Sequence, residues 1–292
     1  MRALVLVAAL LAAAPAVAEP VDLPVNVADG ASWTITTLRV RTTDQEGAPT
    51  EIRSESRSRA TFRADREGGR LILTPMDGAS SADLGTGLRA EGLDFPLEFD
   101  VDEAMTPTRM RNWPQLRDAV LAFFVKQSSE GRFADPVKEM YRRMTPEDAP
   151  NLFTPHLALL GLGQGLALEV GQPHTYEGEV PNPLGGPSIK SRGSLAIQAH
   201  DPKAGRASVV WTQTLDPASL AASLREIGKT MQAGAADDLN VAREERCRFE
   251  IDVPTGLAIR TECASEIMLT IQGKSGRRTD RWTITQTLPE NP

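Results

Sequence analysis

The side chains able to do chemistry are few and scattered. The 292-residue chain carries three histidines, His156, His174 and His200, and two cysteines, Cys247 and Cys263. No two histidines stand at the short spacing by which one helix or turn presents paired imidazoles to a zinc ion. His156 sits in the apolar stretch from Leu152 to Leu160 and reads as a packing or surface histidine ahead of an acid–base group. There is no G-x-S-x-G nucleophile elbow. Gly161-Leu162-Gly163-Gln164-Gly165 falls short of a dinucleotide loop, because Leu166 stands where the third glycine belongs and an apolar, helix-like segment precedes it. Asp100, Asp102 and Glu103, and the pair Asp237-Asp238, lack the spacing of a calcium loop and read as solvated charge. The sequence therefore nominates no catalytic residue, no metal site and no cofactor.

The cysteines are more informative. Residues 247–263 read CRFEIDVPTGLAIRTEC. Centred on Thr255, a hairpin places Cys247, Phe249, Ile251 and Val253 opposite Cys263, Thr261, Ile259 and Leu257. Its other face then pairs Arg248 with Glu262 and Glu250 with Arg260, opposite charges across from each other. Pro254-Thr255-Gly256 suits a three-residue connection in which the glycine takes the left-handed conformation. A slip of one residue would turn the charged row into the core, so the register is strongly specified. The cysteines thus face each other and are expected to form a disulfide. A closed loop of this size is worth about 3 kcal/mol in the chain-entropy picture, and less where a good hairpin already restrains its ends.

Alternation with a period of two recurs along the chain. From Glu51 to Asp65 one face is charged, while the other holds the small residues Ser54, Ser56, Ser58 and Ala60. A strand from Ala31 to Thr42 precedes it. Leu71 to Leu73 follows, then Leu97 to Val101 and Thr106 to Arg111, which pair on paper as Leu97 with Met110 and Phe99 with Thr108. A second series comprises His174 to Val180, Ile189 to His200, Arg206 to Leu215, the cysteine hairpin, and Arg277 to Leu288. Trp33-Thr34-Ile35-Thr36 reappears as Trp282-Thr283-Ile284-Thr285, which suggests a duplicated meander.

Helical spacing appears after Asn112, a candidate cap, with Leu116, Val120, Leu121, Phe124 and Val125 on one stripe. Further starts lie at Asp135-Pro136, Thr145-Pro146 and Asp216-Pro217, the last running to about Gln232. The fold class expected is β-rich α+β: two antiparallel meander sheets, or one large curved or half-barrel-like sheet, with helical insertions. The corresponding divisions are a meander over 19–112, helices over 113–168, and a second meander over 169–292 with a helix at 217–232 and the hairpin at 247–263. Helices beside a sheet face of small residues suggest a roofed apolar site lined by Leu121, Phe124, Val125, Leu157 and Leu160. The layout is loosely similar to periplasmic lipoprotein carriers, in which helices close a curved sheet, an analogy of fold alone.

Charge and targeting set the setting. The net charge is −7, from 32 basic and 39 acidic residues, which disfavours nucleic acid as a partner. Arginines 53, 57, 59 and 63 share their strand face with Glu51, Glu55 and Asp65 and read as a self-neutralising surface. Residues 1–18, MRALVLVAALLAAAPAVA, have the layout of a cleaved export signal. The apolar run is too short to span a bilayer, which takes about 20 residues, and no later segment reaches about 18 consecutive apolar residues. The expectation is an exported soluble protein, periplasmic in a Gram-negative bacterium or secreted, where disulfides persist. It is expected to be non-catalytic and to bind an apolar small molecule or another envelope component. A structural module without a small ligand, or a hydrolase, are the alternatives, and the oligomeric state stays open.

Overall fold

The computed structural model describes residues 20–45, 47–65, 68–76, 95–128, 135–153, 157, 168–180, 182, 187–230, 238–271 and 273–289. The export segment 1–18, His156, Leu160, the Gly161–Gly165 run and Asp237 lie outside the described residues.

The described residues form eleven strands and four helices, in the order β1 (Ser32–Gln45), β2 (Ala48–Asp65), β3 (Gly68–Pro75), β4 (Leu97–Val101), β5 (Pro107–Met110), α1 (Trp113–Ser128), α2 (Asp135–Arg143), α3 (Ala149–Phe153), β6 (His174–Val180), β7 (Ile189–Asp201), β8 (Arg206–Leu215), α4 (Pro217–Thr230), β9 (Asn240–Asp252), β10 (Leu257–Ile271) and β11 (Lys274–Gln286). The strands form one antiparallel sheet in the order β5-β4-β3-β2-β1-β11-β10-β9-β8-β7-β6. Of the two arrangements the sequence allowed, the single sheet is the one formed. The meanders meet where β1 pairs with β11 over eleven residues, from Ile35 with Gln286 to Gln45 with Gly276. The two Trp-Thr-Ile-Thr segments thus lie on neighbouring strands, with Thr36 facing Thr285.

Period-two alternation gives the sheet one inward face. Its first half carries Trp33, Ile35, Phe62, Leu71, Leu73 and Phe99 under α1 to α3, whose Trp113, Leu116, Val120, Phe124 and Phe153 complete the core. The second half carries Leu195, Ile197, Val209, Phe249 and the two cysteines, capped by Val21, Leu23 and Leu168. A third cluster packs Leu220 and Ala221 of α4 on Ile189, Leu215 and Val241.

Three local expectations are corrected. The β9–β10 register holds from Cys247–Cys263 to Glu250–Arg260, then shifts by one at a bulge, so that Leu257 faces Asp252 and Ala258 faces Ile251. Buried Asp252 causes the shift. Its carboxylate accepts from Thr255 Oγ1 at 2.7 Å, and its carbonyl accepts from Gly256 N at 2.7 Å, which widens the turn to four residues. Gly256 has φ +69°, as the turn requires, and a Cβ there would sit 2.0 Å from Pro24 O. In β4–β5, Phe99 faces Met110 in place of Thr108. Asp102 Oδ1 accepts from the backbone of Ala104 and Thr106 and tightens that turn around Met105, held at φ 59°. Asn112 leaves its helix uncapped by side chain. Its Oδ1 accepts from Glu98 N at 3.0 Å and its Nδ2 donates to Pro96 O at 2.7 Å, fastening β4 to the start of α1. At α3, Thr145 does cap, exchanging bonds with Asp148.

Candidate functional site

The inward face changes character along the strands. Reading across β8, β9, β10, β11 and β1, one row is Trp211, Cys247, Cys263, Trp282 and Arg39. Cys247 and Cys263 are joined by a disulfide, and Trp211 and Trp282 flank it on the neighbouring strands. The Arg39 guanidinium lies over the Trp282 ring, 5.2 Å from its centroid, where the face of the ring attracts a cation.

Two residues along each strand the row becomes ionic: Gln213, Glu245, Ser265, Asp280 and Arg41, continued by Ile52 on β2. Asp280 is 3% exposed. Its Oδ1 accepts from Arg39 Nε at 3.1 Å, Arg39 Nη2 at 2.9 Å and Arg41 Nε at 2.8 Å, and its Oδ2 accepts from Arg278 Nε at 2.6 Å. Burial pushes the Asp280 carboxyl up, but the hydrogen bond from Arg41 and the charges of Arg39 and Arg278 outweigh it and hold the group below its ordinary value. Glu245 behaves oppositely. Burial raises it, and the Arg243 ion pair at 3.0 Å offsets only part of the rise. Arg243 Nε also donates to Ser265 Oγ at 3.3 Å, so the serine between the two carboxylates is buried and occupied as an acceptor.

Two adjacent carboxylates with pKa values moved apart resemble an acid–base pair in outline. Here each is committed to arginine, Asp280 to three guanidinium groups and Glu245 to one. The arrangement is suited to holding charge in place. It is accessible at two places: on β2, where Ile52 faces inward and is 44% exposed and Ser54 and Ser56 are half-buried, and on β11, where the Arg278 side chain is 38% exposed. On the outward face, a groove of about 340 Å³ over Ala264 is lined by Glu244, Arg246, Glu266, Arg277 and Arg281. Its charges are mixed, and Arg277 is bonded to Glu266.

The residues named from sequence are dispersed. Phe124 and Leu157 are fully packed in the first core and Leu121 packs half-buried against it, whereas Val125 is 62% exposed. Three of these four thus share one packed cluster, and Val125 lies outside it. His174 lies exposed on β6 and His200 half-buried on β7. Among the described residues no group of three or more His, Cys, Asp or Glu could hold a metal ion, and no helix is long and apolar enough to cross a membrane. The ionic row escaped sequence reading because charged residues occupy inward positions. Extending the Cys247–Cys263 alternation outward would have found it: Glu245 and Arg243 continue one strand, Ser265 and Ile267 the other. No protein-family model matches the chain, and no curated relative matches it.

Proposed function

We propose that the protein is an exported, non-catalytic binding protein of the bacterial envelope, periplasmic in a Gram-negative cell, and that it takes an amphipathic ligand with an anionic group. The ligand lies on the inward face beside Asp280, away from the stripe of α1. The observation that carries this reading is the accessible pair Ile52 and Arg278, an apolar and a cationic side chain on one sheet face. Ile52 is followed on the same face of β2 by the small residues Ser54 and Ser56, opposite Arg39 and Thr37. An apolar tail on Ile52 and a carboxylate or phosphate on Arg278 use what each offers. The disulfide and the lack of any long apolar helix among the described residues are compatible with export.

Titration with dodecanoate, followed by tryptophan emission, tests the proposal, since Trp282 adjoins the site. Dodecanoate is expected to bind, dodecanol to bind more weakly, and Arg278→Ala to weaken dodecanoate about tenfold, as for a lost hydrogen bond to a charged group. Equal binding of the alcohol, or no response to either, rejects the ligand and leaves the interaction-module alternative.

A further inference from the structure

The two edges of the sheet are finished differently, and the difference does not depend on the ligand proposed above. β5 is four residues long, begins with Pro107, and meets β4 through a register shift. Its Met110 N donates to Pro146 O at 2.8 Å, so the segment leading into α3 occupies the edge. Short length, proline, irregular register and a covering segment are the devices by which proteins blunt an edge against strand addition.

Among the described residues β6 has none of these. It is seven residues long, free of proline and lysine, and pairs with β7 without a shift from His174–Leu195 to Val180–Ile189. Five of its seven residues are exposed, and among the described residues no strand pairs with its outer side. The strand is also firmly seated. Tyr176 lies over Gly193, where a Cβ would come within 2.5 Å of the phenol oxygen, and its hydroxyl accepts from Trp211 Nε1 at 2.6 Å. A regular, anchored, solvent-facing edge is a template for another strand.

The charges select the occupant. On the outward face Glu177 faces Arg192 and Glu179 faces Lys190 of β7. The sheet therefore ends basic, then acidic, and a following strand is favoured if it is basic. A second copy paired antiparallel about Glu177 would set Glu177 against Glu177 and Glu179 against Thr175, and like charges directly opposite are destabilising. We infer that β6 is a strand-addition site for an extended segment of a partner protein carrying Lys or Arg at alternate positions.

The probes are capped seven-residue peptides alternating Lys with Val, alternating Glu with Val, and the Lys peptide with alternate backbone N-methylation, in both of its two phases. With the full chain, the Lys peptide is expected to bind at least tenfold more tightly than the Glu peptide. One N-methylated phase is expected to lose at least tenfold while the other does not, a result that needs no protein variant. Glu177→Lys with Glu179→Lys is expected to invert the preference; a single cooperative melting transition, lowered by the new like-charge pairs with Arg192 and Lys190, reports that the sheet has formed. Equal binding of the two N-methylated phases, indifference to peptide charge, no binding of the Lys peptide, or a wild-type dimer in sedimentation equilibrium would each overturn the assignment.

Discussion

The inward face is held by two kinds of physics. Under α1 to α3 the contacts are aromatic and apolar: Trp113 and Phe153 lie 5.7 Å apart, Phe124 and Tyr141 5.2 Å, and Tyr141 and Phe153 6.0 Å, all buried. At the centre of the sheet, where β1 meets β11, the contacts are ionic, with three arginines on Asp280. The apolar half derives its stability from area removed from water. The ionic half gains little net stability, because desolvation offsets much of the attraction, but it is costly to break. The ionic row remains accessible at Ile52 of β2, and Arg278 beside it on β11 is likewise partly exposed. A packed apolar core and an accessible ionic row are thereby separated on one sheet face.

Substitutions should separate the two regimes. The largest loss is expected for Trp113→Ala, which removes a side chain that is 1% exposed and whose Nε1 donates to Met144 O at 2.9 Å. Denaturant unfolding should show about 3–5 kcal/mol, insensitive to salt. Asp280→Asn should cost about 3 kcal/mol by leaving the arginines without their shared carboxylate, with a dependence on salt that Trp113→Ala lacks. Reduction of Cys247–Cys263 should cost about 2–3 kcal/mol or less, since both ends sit in a paired hairpin.

A pH series sharpens the contrast further. Asp280 is depressed when folded, so its contribution is present above the ordinary carboxylate range, near about 4, and is lost as pH falls through the folded value. Glu245 is raised when folded, so the native chain takes up its proton first and gains stability as pH falls through that raised value. Melting from pH 7 downward should therefore move wild type up relative to Glu245→Gln, and down relative to Asp280→Asn at lower pH. The smallest stability effect, below about 1 kcal/mol, is expected for Arg278→Ala, whose side chain is partly exposed.

The same contrast explains what was legible in the sequence. The pairs from Cys247–Cys263 to Glu250–Arg260 could be read to the residue because apolar inward positions alternate with charged outward ones, and the bounds of β6 and β8 were legible from their flanking turns. The first turns of β9, the last of β10 and the lower half of β1 were not read as one continuous face, because Arg243, Glu245, Arg39 and Arg41 put charge where alternation demands apolar residues. Turn chemistry accounts for the register shifts: Asp252 and Asp102 bind backbone groups that spacing alone assigns to strands. Leu116, Val120 and Phe124 of the helical stripe are buried on one face, whereas Val125, read as part of it, is not. The stripe's meaning differed, since Phe124 and Leu157 fill the core and Val125 faces solvent.

Methyl NMR of the full chain during dodecanoate titration tests the central claim most directly. If the ionic half of the inward face is the recognition surface, the Ile52 methyl resonance shifts with ligand, the shift weakens in Arg278→Ala, and Val125 on α1 does not move. Shifts at Val125 and Leu121 with Ile52 unchanged would contradict the account and return the site to the helices.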